Sequence, residues 1–394
     1  MKKHAVVIVG GGPGGSSAAA WLAQRSVDVA VIEREDYPRF HIGESLLPAS
    51  MPVFKETGVY DTLSSGSYIR KFGARFIDYG NDDEIYFGFQ DGLNPDIPMA
   101  FEVPRADFDR DLLQHAQKSG ATLYQPERVV GCELSPTGVI LKGQQDEYHA
   151  DYLIDASGRD SVIGKQLDMR RTNKDLNNIA VFAHYRGVAR QPGLREGDIT
   201  IGLLPDRAWT WLIPFKGEIT SVGVVCSSAV FDGQGNLPEY LERRLCGSQR
   251  VRDAMRGAQL ASEVMSIGNY SHSCDKFFGE RWILSGDAAM FLDPIFSSGV
   301  HLSVSSSVLA ARAVHEALQS HSSLDATGAG RRYEEHFRLG AGRFRNLIGL
   351  FYEGNFVGQM KKVLERENLR KGFTSAVAGD VWNEQNFLFQ KGIL

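Results

Sequence analysis

Residues 5–15 read Ala5-Val6-Val7-Ile8-Val9-Gly10-Gly11-Gly12-Pro13-Gly14-Gly15. The apolar, β-branched run suits a central parallel strand buried on both faces. The glycines that follow match G-x-G-x-x-G at Gly10, Gly12 and Gly15, each needed for its own reason. Gly10 permits the tight turn, Gly12 lets a pyrophosphate approach the backbone, and Gly15 allows close packing of helix on strand. Residues 16–24 (SSAAAWLAQ) are rich in helix formers, and residues 27–32 are a second β-rich run closing on Glu33. A carboxylate there, 23 residues after Gly10, can accept hydrogen bonds from a ribose. The unit is strand, turn, helix and strand, with oriented N–H donors at the helix start for a phosphate. A dinucleotide site is expected, with Gly10, Gly12, Pro13, Gly14, Gly15, Ser16, Glu33 and Arg34 as its residues. An accidental glycine-rich turn is the bland alternative.

Around this unit the chain has 394 residues, 43% of them hydrophobic, enough for two or three domains. Its 43 Lys and Arg against 48 Asp and Glu give a formal charge of −5 with no long basic block, which argues against a nucleic-acid partner. Cys132, Cys226, Cys246 and Cys274 are widely spaced and accompany no His cluster, so reduced cysteines and no metal are expected. Met1-Lys2-Lys3 precedes an apolar run too short for a signal peptide, and no run approaches the ~20 apolar residues of a membrane span. A cytoplasmic protein is expected.

Residues 107–119 read as a helix, and 121–124, 139–142 and 152–155 as strands. From Ala180 to about Val230, as in 180–186 and 213–225, alternation and regular turn residues predict an antiparallel sheet. Residues 282–286 return to the buried-strand pattern, 299–318 are apolar at helical spacing, and the last 60 residues are expected to be helical. The fold class is α/β with an α+β second domain. The domains interleave: 1–50, 101–178 and 270–325 for the nucleotide, 51–100 and 179–269 for a substrate sheet, and 326–394 as a helical C-terminal region.

Ile283-Leu284-Ser285-Gly286-Asp287-Ala288-Ala289 resembles the segment of aromatic-hydroxylase-type flavoproteins in which the carboxylate meets the ribityl chain of FAD. Ile154-Asp155-Ala156-Ser157-Gly158-Arg159 resembles a second strand-turn of that family, and Arg105, in Val103-Pro104-Arg105, its flavin-contacting arginine. Taken singly, Asp287 could cap a helix and Arg105 could be a surface ion-pair partner. Trp209-Thr210-Trp211-Leu212-Ile213-Pro214 resembles the W-x-W-x-I-P signature of flavin-dependent halogenases. It also reads as a strand with two aromatics on one face, packed on the flavin side of a cavity. Gly43-Glu44-Ser45 is similar to the halogenases' G-E-S segment beside the flavin, and Asp293-Pro294-Ile295-Phe296-Ser297-Ser298-Gly299 to their halide and flavin-ring loop. Arg70-Lys71-Phe72-Gly73 matches the segment that carries their catalytic lysine, Lys71 here. On its own a lysine is usually a solvated charge.

The resemblance, most like the halogenases of pyrrolyl groups on carrier proteins, implies a Rossmann-like FAD domain of the aromatic-hydroxylase type. It implies that reduced FAD and oxygen turn chloride or bromide into hypohalous acid, which reaches an aromatic substrate held away from the flavin. Backbone N–H groups at Ser298 and Gly299 would hold the halide. Lys71 would hydrogen-bond the hypohalous acid or form a haloamine. Trp209, Trp211, Pro214, Phe296 and Ser297 would line the cavity. Tryptophan halogenases have a glutamate where this chain has Phe296, a departure that fits an electron-rich pyrrole or phenol. The tail around Gly379-Asp380-Val381 resembles the pyrrolyl-carrier-protein halogenases, and Lys361, Lys362, Arg366, Arg370 and Lys371 could meet an acidic carrier. From charge alone a solvated helix face is the commoner explanation. With no second glycine fingerprint, a separate flavin reductase is expected to supply FADH2. The implied setting is natural-product, including antibiotic, biosynthesis. Phenol halogenation, aromatic hydroxylation, reduction of prenyl chains and a non-enzymatic flavin sensor are the rival readings.

Overall fold

The computed structural model describes residues 1–172, 177–233, 235–268 and 271–394. Two sheets organise it. In the first, Lys2–Val9 is flanked in parallel by Val29–Ile32 and by Glu147–Asp155, with Val9 opposite both Ile32 and Asp155. Thr122–Tyr124 and Trp282–Leu284 extend the parallel set at either side. The antiparallel strands Gly138–Gly143 and Val129–Ser135 complete it. Val6, Val7 and Ile8 have no exposed surface, as expected of a strand covered on both faces.

Helix Pro13–Ala23 begins at the glycine turn. Its Gly14 faces Ser303 and Ser307 of the long helix Ser298–Gln319, so a Cβ there would come within 2.5 Å of both hydroxyl oxygens. Small residues therefore let the two helices cross closely. Helix Arg105–Lys118 also packs on Pro13–Ala23.

The second sheet runs Gln259–Leu260, Asn178–Arg186, Ile219–Ser227, Trp209–Pro214, Ile199–Leu203, Gly73–Asp78 and Glu84–Gly88, with Met265–Gly268 also on Asn178–Arg186. It is mixed, which corrects the purely antiparallel expectation: Ile199–Leu203 pairs with Gly73–Asp78 in parallel. That pairing joins segments separated by most of the first sheet, and a parallel pair needs such a crossover. Residues 213–225 span the antiparallel hairpin that joins Trp209–Pro214 to Ile219–Ser227. The junction expected at 269/270 lies outside the described residues.

Helices Ala329–Tyr352, Phe356–Leu364, Glu367–Val377 and Phe387–Gln390 form the C-terminal region. Among the described residues no helix is long and apolar enough to cross a membrane, and no His, Cys, Asp and Glu cluster has the makings of a metal site.

Candidate active site

A cleft of about 450 Å³ runs along the C-terminal ends of the parallel strands, where open α/β sheets bind ligands. At one end stands the glycine turn. Gly10, at φ +100°, would put a Cβ 2.4 Å from the Ala156 carbonyl oxygen, and Gly15 would put one 1.9 Å from the Gly10 carbonyl oxygen. Neither position admits a side chain. At Gly12 a Cβ would meet nothing nearer than Arg39 Nη2 at 3.6 Å, so this backbone is open to a ligand. Gly10, Gly12, Pro13 and Gly14 line the cleft, whereas Gly15 and Ser16 lie behind it and support the turn. Ser16 Oγ donates to the Gly11 carbonyl oxygen at 2.7 Å.

Glu33 also lines the cleft, and its Oε2 accepts from Gly11 N at 2.7 Å. The carboxylate thus braces the turn as well as facing the place expected for a ribose. Arg34, beside it, is ion-paired with Asp160. Arg105 is 6% exposed and grips Asp109 through Nε and Nη2 at 2.7 and 2.9 Å. Its Nη1 donates to the Ile42 carbonyl oxygen at 2.7 Å, pinning the loop that leads to Glu44 and Ser45. Burial, reinforced by the Arg105 charge, pushes the His41 imidazole down to about 3, so it stays neutral. Across the cleft Asp287 is raised to about 6 by burial, against the opposing pull of Arg159 and Arg105.

At the other end, Ser297 sits at φ +56° and turns the chain into helix Ser298–Gln319. Ser297 and Gly299 line the cleft, and a Cβ at Gly299 would meet nothing within 4 Å. Ser298 itself is buried beneath. Trp209, Trp211 and Ile213 form an aromatic and aliphatic wall, on one face of the strand as period two requires. Two expected cavity residues are not there. Pro214 is buried and does not border the cleft, and Phe296 turns into the core against Phe76, Phe351 and Phe356, at 5.9, 6.1 and 6.0 Å between ring centres.

Trp209 reveals a link that sequence reasoning missed. Its indole N–H donates to Tyr352 Oη at 3.1 Å, and Tyr352 donates to Asp293 Oδ2 at 2.9 Å. Asn178 Nδ2 donates to the same oxygen at 2.9 Å, and Ile295 N to Oδ1 at 3.1 Å. Burial raises Asp293 to about 6 against these donors. The first tryptophan of the motif is therefore tied, through the C-terminal helix, to the loop carrying Ser297 and Gly299.

Lys71 is 1% exposed and lies one side chain behind the cleft wall. Strand Ile69–Lys71 pairs antiparallel with Ala100–Glu102, Lys71 opposite Ala100, and Ser45 bridges to Glu102. Lys71 and Glu102 are thus diagonal neighbours on one face, with Ser45 beside both. Lys71 Nζ donates to Ser45 Oγ at 2.8 Å and to the Leu46 carbonyl oxygen at 3.1 Å, and stands 4.0 Å from Glu102 Oε1. Ser45 lines the cleft, as does Glu44, whose Oε1 pairs with His184 Nε2 at 3.0 Å. Glu102 was legible only as an acidic residue in a short buried strand directly before Val103-Pro104-Arg105.

A second cavity of about 210 Å³ lies beyond the long helix, lined by His301, Arg312, His336, Asp380 and Trp382 among others. Gly299, Val300 and Ser303 face the first cleft while His301, Ser305 and Val308 face the second, so this helix separates the two. In the C-terminal basic stretch Lys361 pairs with Asp83 at 2.6 Å and Lys371 with Glu367 at 2.7 Å, leaving Lys362 and Arg366 among its exposed cations.

The open backbone at Gly12, the braced Glu33, the Arg105 grip and Asp287 fit a flavin dinucleotide along the cleft. The model of the FAD binding domain matches residues 3–333. A 1H-pyrrole-2-carbonyl-(peptidyl-carrier protein) chlorinase of Pseudomonas fluorescens is 31% identical, over 96% of this chain and 89% of its own. A tryptophan 2-halogenase of Chondromyces crocatus is 30% identical, over 89% of this chain and 68% of its own. The solved structure of the myxobacterial chondrochloren halogenase CndH matches with a TM-score of 0.83 at 28% identity, covering 99% of this chain and 93% of that one. On this fold, this cleft and these relatives, the chain belongs to the flavin-dependent halogenases, oxidoreductases that use FAD and a halide.

Proposed function

We propose that this halogenase acts on an electron-rich ring, a pyrrolyl group held as a thioester on a carrier protein. The observation that carries the reading is the likeness, along nearly the whole chain, to a relative whose name specifies that substrate. Phe296 supports it: the loop offers a core phenyl ring where a carboxylate would assist a less reactive substrate. Bound reduced flavin supplies, with oxygen, the two-electron oxidation of halide to hypohalous acid. The residues do the rest. Backbone N–H groups at Ser298 and Gly299, opening a 22-residue helix, hold the halide by local dipoles. Trp209, Trp211 and Ile213 exclude water on one side of the cleft, and Lys71 directs the electrophile to the ring. The exposed cations Lys362 and Arg366 are available to an acidic carrier. FADH2 comes from a separate flavin reductase.

The test is to offer reduced FAD, each halide, and pyrrole-2-carboxylate either free or loaded on a carrier, with products read by mass. Halogenation of the loaded form alone is expected. Turnover of the free acid alone overturns the substrate assignment, and halogenation of a phenol in its place moves it to the phenolic class. Oxygenated product formed equally with and without halide would favour hydroxylation.

A further inference from the structure

We propose that Lys71, Ser45 and Glu102 form a buried proton relay, in which Glu102 is the positioning residue that sets the charge on Lys71. The proposal rests on the assignment of Lys71 as the residue that handles the electrophile. Its basis is geometric. Ser45 Oγ accepts from Lys71 Nζ at 2.8 Å and donates to Glu102 Oε1 at 3.0 Å, an unbroken path from ammonium to carboxylate. Both ends are buried from bulk solvent: Lys71 is 1% and Glu102 0% exposed. Among the described residues Glu102 Oε2 has no hydrogen-bond partner, and a buried oxygen left so is costly as a carboxylate.

Burial works against the charge at both ends. It pushes the Lys71 ammonium down, opposed by Glu102 and Asp198, and pushes Glu102 up to about 8, opposed by Lys71 and Ser45 and reinforced by Asp198 and Glu44. These groups are held elsewhere: Asp198 accepts from Phe72 N, Gly73 N and Tyr86 Oη, and Glu44 pairs with His184. The mobile proton therefore belongs to the Lys71 and Glu102 pair.

In the transfer, Lys71 Nζ gives a proton to Ser45 Oγ as Ser45 Oγ gives its own to Glu102 Oε1. An ammonium and a carboxylate become an amine and a carboxylic acid, with no net change. The amine lone pair can then take halogen from hypohalous acid, R–NH2 + HOX → R–NHX + H2O. The ring next takes the halogen and returns its proton to nitrogen, R–NHX + ArH → R–NH2 + ArX. Glu102 thereby acts where Phe296 leaves the halide loop without a carboxylate. The phenyl ring of Phe89, centred 5.4 Å from Lys71 Nζ, adds an apolar wall.

The experiment compares wild type, Glu102→Gln, Ser45→Ala and Lys71→Ala in two readouts. In the flavin-free protein, infrared titration should show a protonated carboxyl that ionises near pH 8, is absent in Glu102→Gln, and ionises at higher pH in Lys71→Ala. With flavin, Glu102→Gln and Ser45→Ala should each lose on the order of 100-fold in kcat, together with the pH dependence centred near 8, and in Glu102→Gln, which does not border the cleft, KM for FADH2 is unchanged. Glu102→Asp should restore part of that pH dependence. If Glu102→Gln and Ser45→Ala keep the wild-type pH profile, or if the carboxyl ionises identically in Lys71→Ala, the relay is wrong even though Lys71→Ala is inactive. If Lys71→Ala itself halogenates, the underlying lysine assignment falls.

Discussion

Glu102 and Asp293 are both carboxylates with no exposed surface behind the wall of the same cleft, and the molecule treats them in opposite ways. Asp293 receives hydrogen bonds on both oxygens, from Ile295, Asn178 and Tyr352, and so locks a loop to a helix and a strand. Among the described residues Glu102 receives one bond, from a serine that is itself bonded to an ammonium. A carboxylate saturated with donors is a fastener. One that is short of donors and close to a lysine keeps its proton exchangeable, which serves chemistry rather than rigidity.

The largest effect tests the lysine side. Lys71→Ala should cost halogenation on the order of 100-fold to 10,000-fold while flavin titration is unaltered; comparable product yields from variant and wild type would remove the lysine from the mechanism. The mirror change at the fastener is Asp293→Ala. It removes the acceptor shared by Asn178, Tyr352 and Ile295, with Asn178 keeping only its longer contact to Tyr352 Oη at 3.4 Å, and should lower unfolding stability by about 1–3 kcal/mol, read from denaturant midpoints. A variant as stable as wild type would erase the distinction between the two carboxylates.

Tyr352→Phe should cost less, about 0.5–1.5 kcal/mol for each hydrogen bond lost, because it releases Trp209 and removes one of the donors to Asp293. The pH dependence of stability sharpens the same contrast. Folding raises Asp293 from 3.8 to about 6, so within that window the folded chain holds a proton that the unfolded chain has released. Its contribution therefore makes stability decline as pH rises from about 4 to about 6, and Asp293→Asn should remove that slope from the difference between variant and wild type. The smallest effect belongs to Trp209→Phe, at most about 1 kcal/mol from one neutral hydrogen bond, with the water-excluding wall kept.

Much of the nucleotide end was readable from residue order alone. The strand, glycine turn and helix lie within residues 2–23, and the steric reason for each glycine is local: at Gly10 a positive φ, at Gly15 a backbone 1.9 Å away. Asp287 and Arg105 were found by resemblance, and both line the cleft. The loop of residues 293–299 was singled out likewise, but its side-chain directions were not. Phe296 was expected to face a cavity and instead joins the core, because the turn before Ser297 aims it toward Phe76 and Phe356. The mixed second sheet was missed because parallel pairing between residues 73–78 and 199–203 leaves no trace in either segment's alternation.

What residue order determined by itself is the dinucleotide-binding turn, since a glycine's conformational freedom and a helix's first N–H groups are properties of contiguous chain. Tertiary structure alone decided the chemistry behind the cleft. Ser45, Lys71 and Glu102 come from three separate segments, and only the register of two short strands and the single bridge at Ser45 places their side chains together on one buried face. Only burial there takes water from an ammonium and a carboxylate, and removing water is what makes their proton movable.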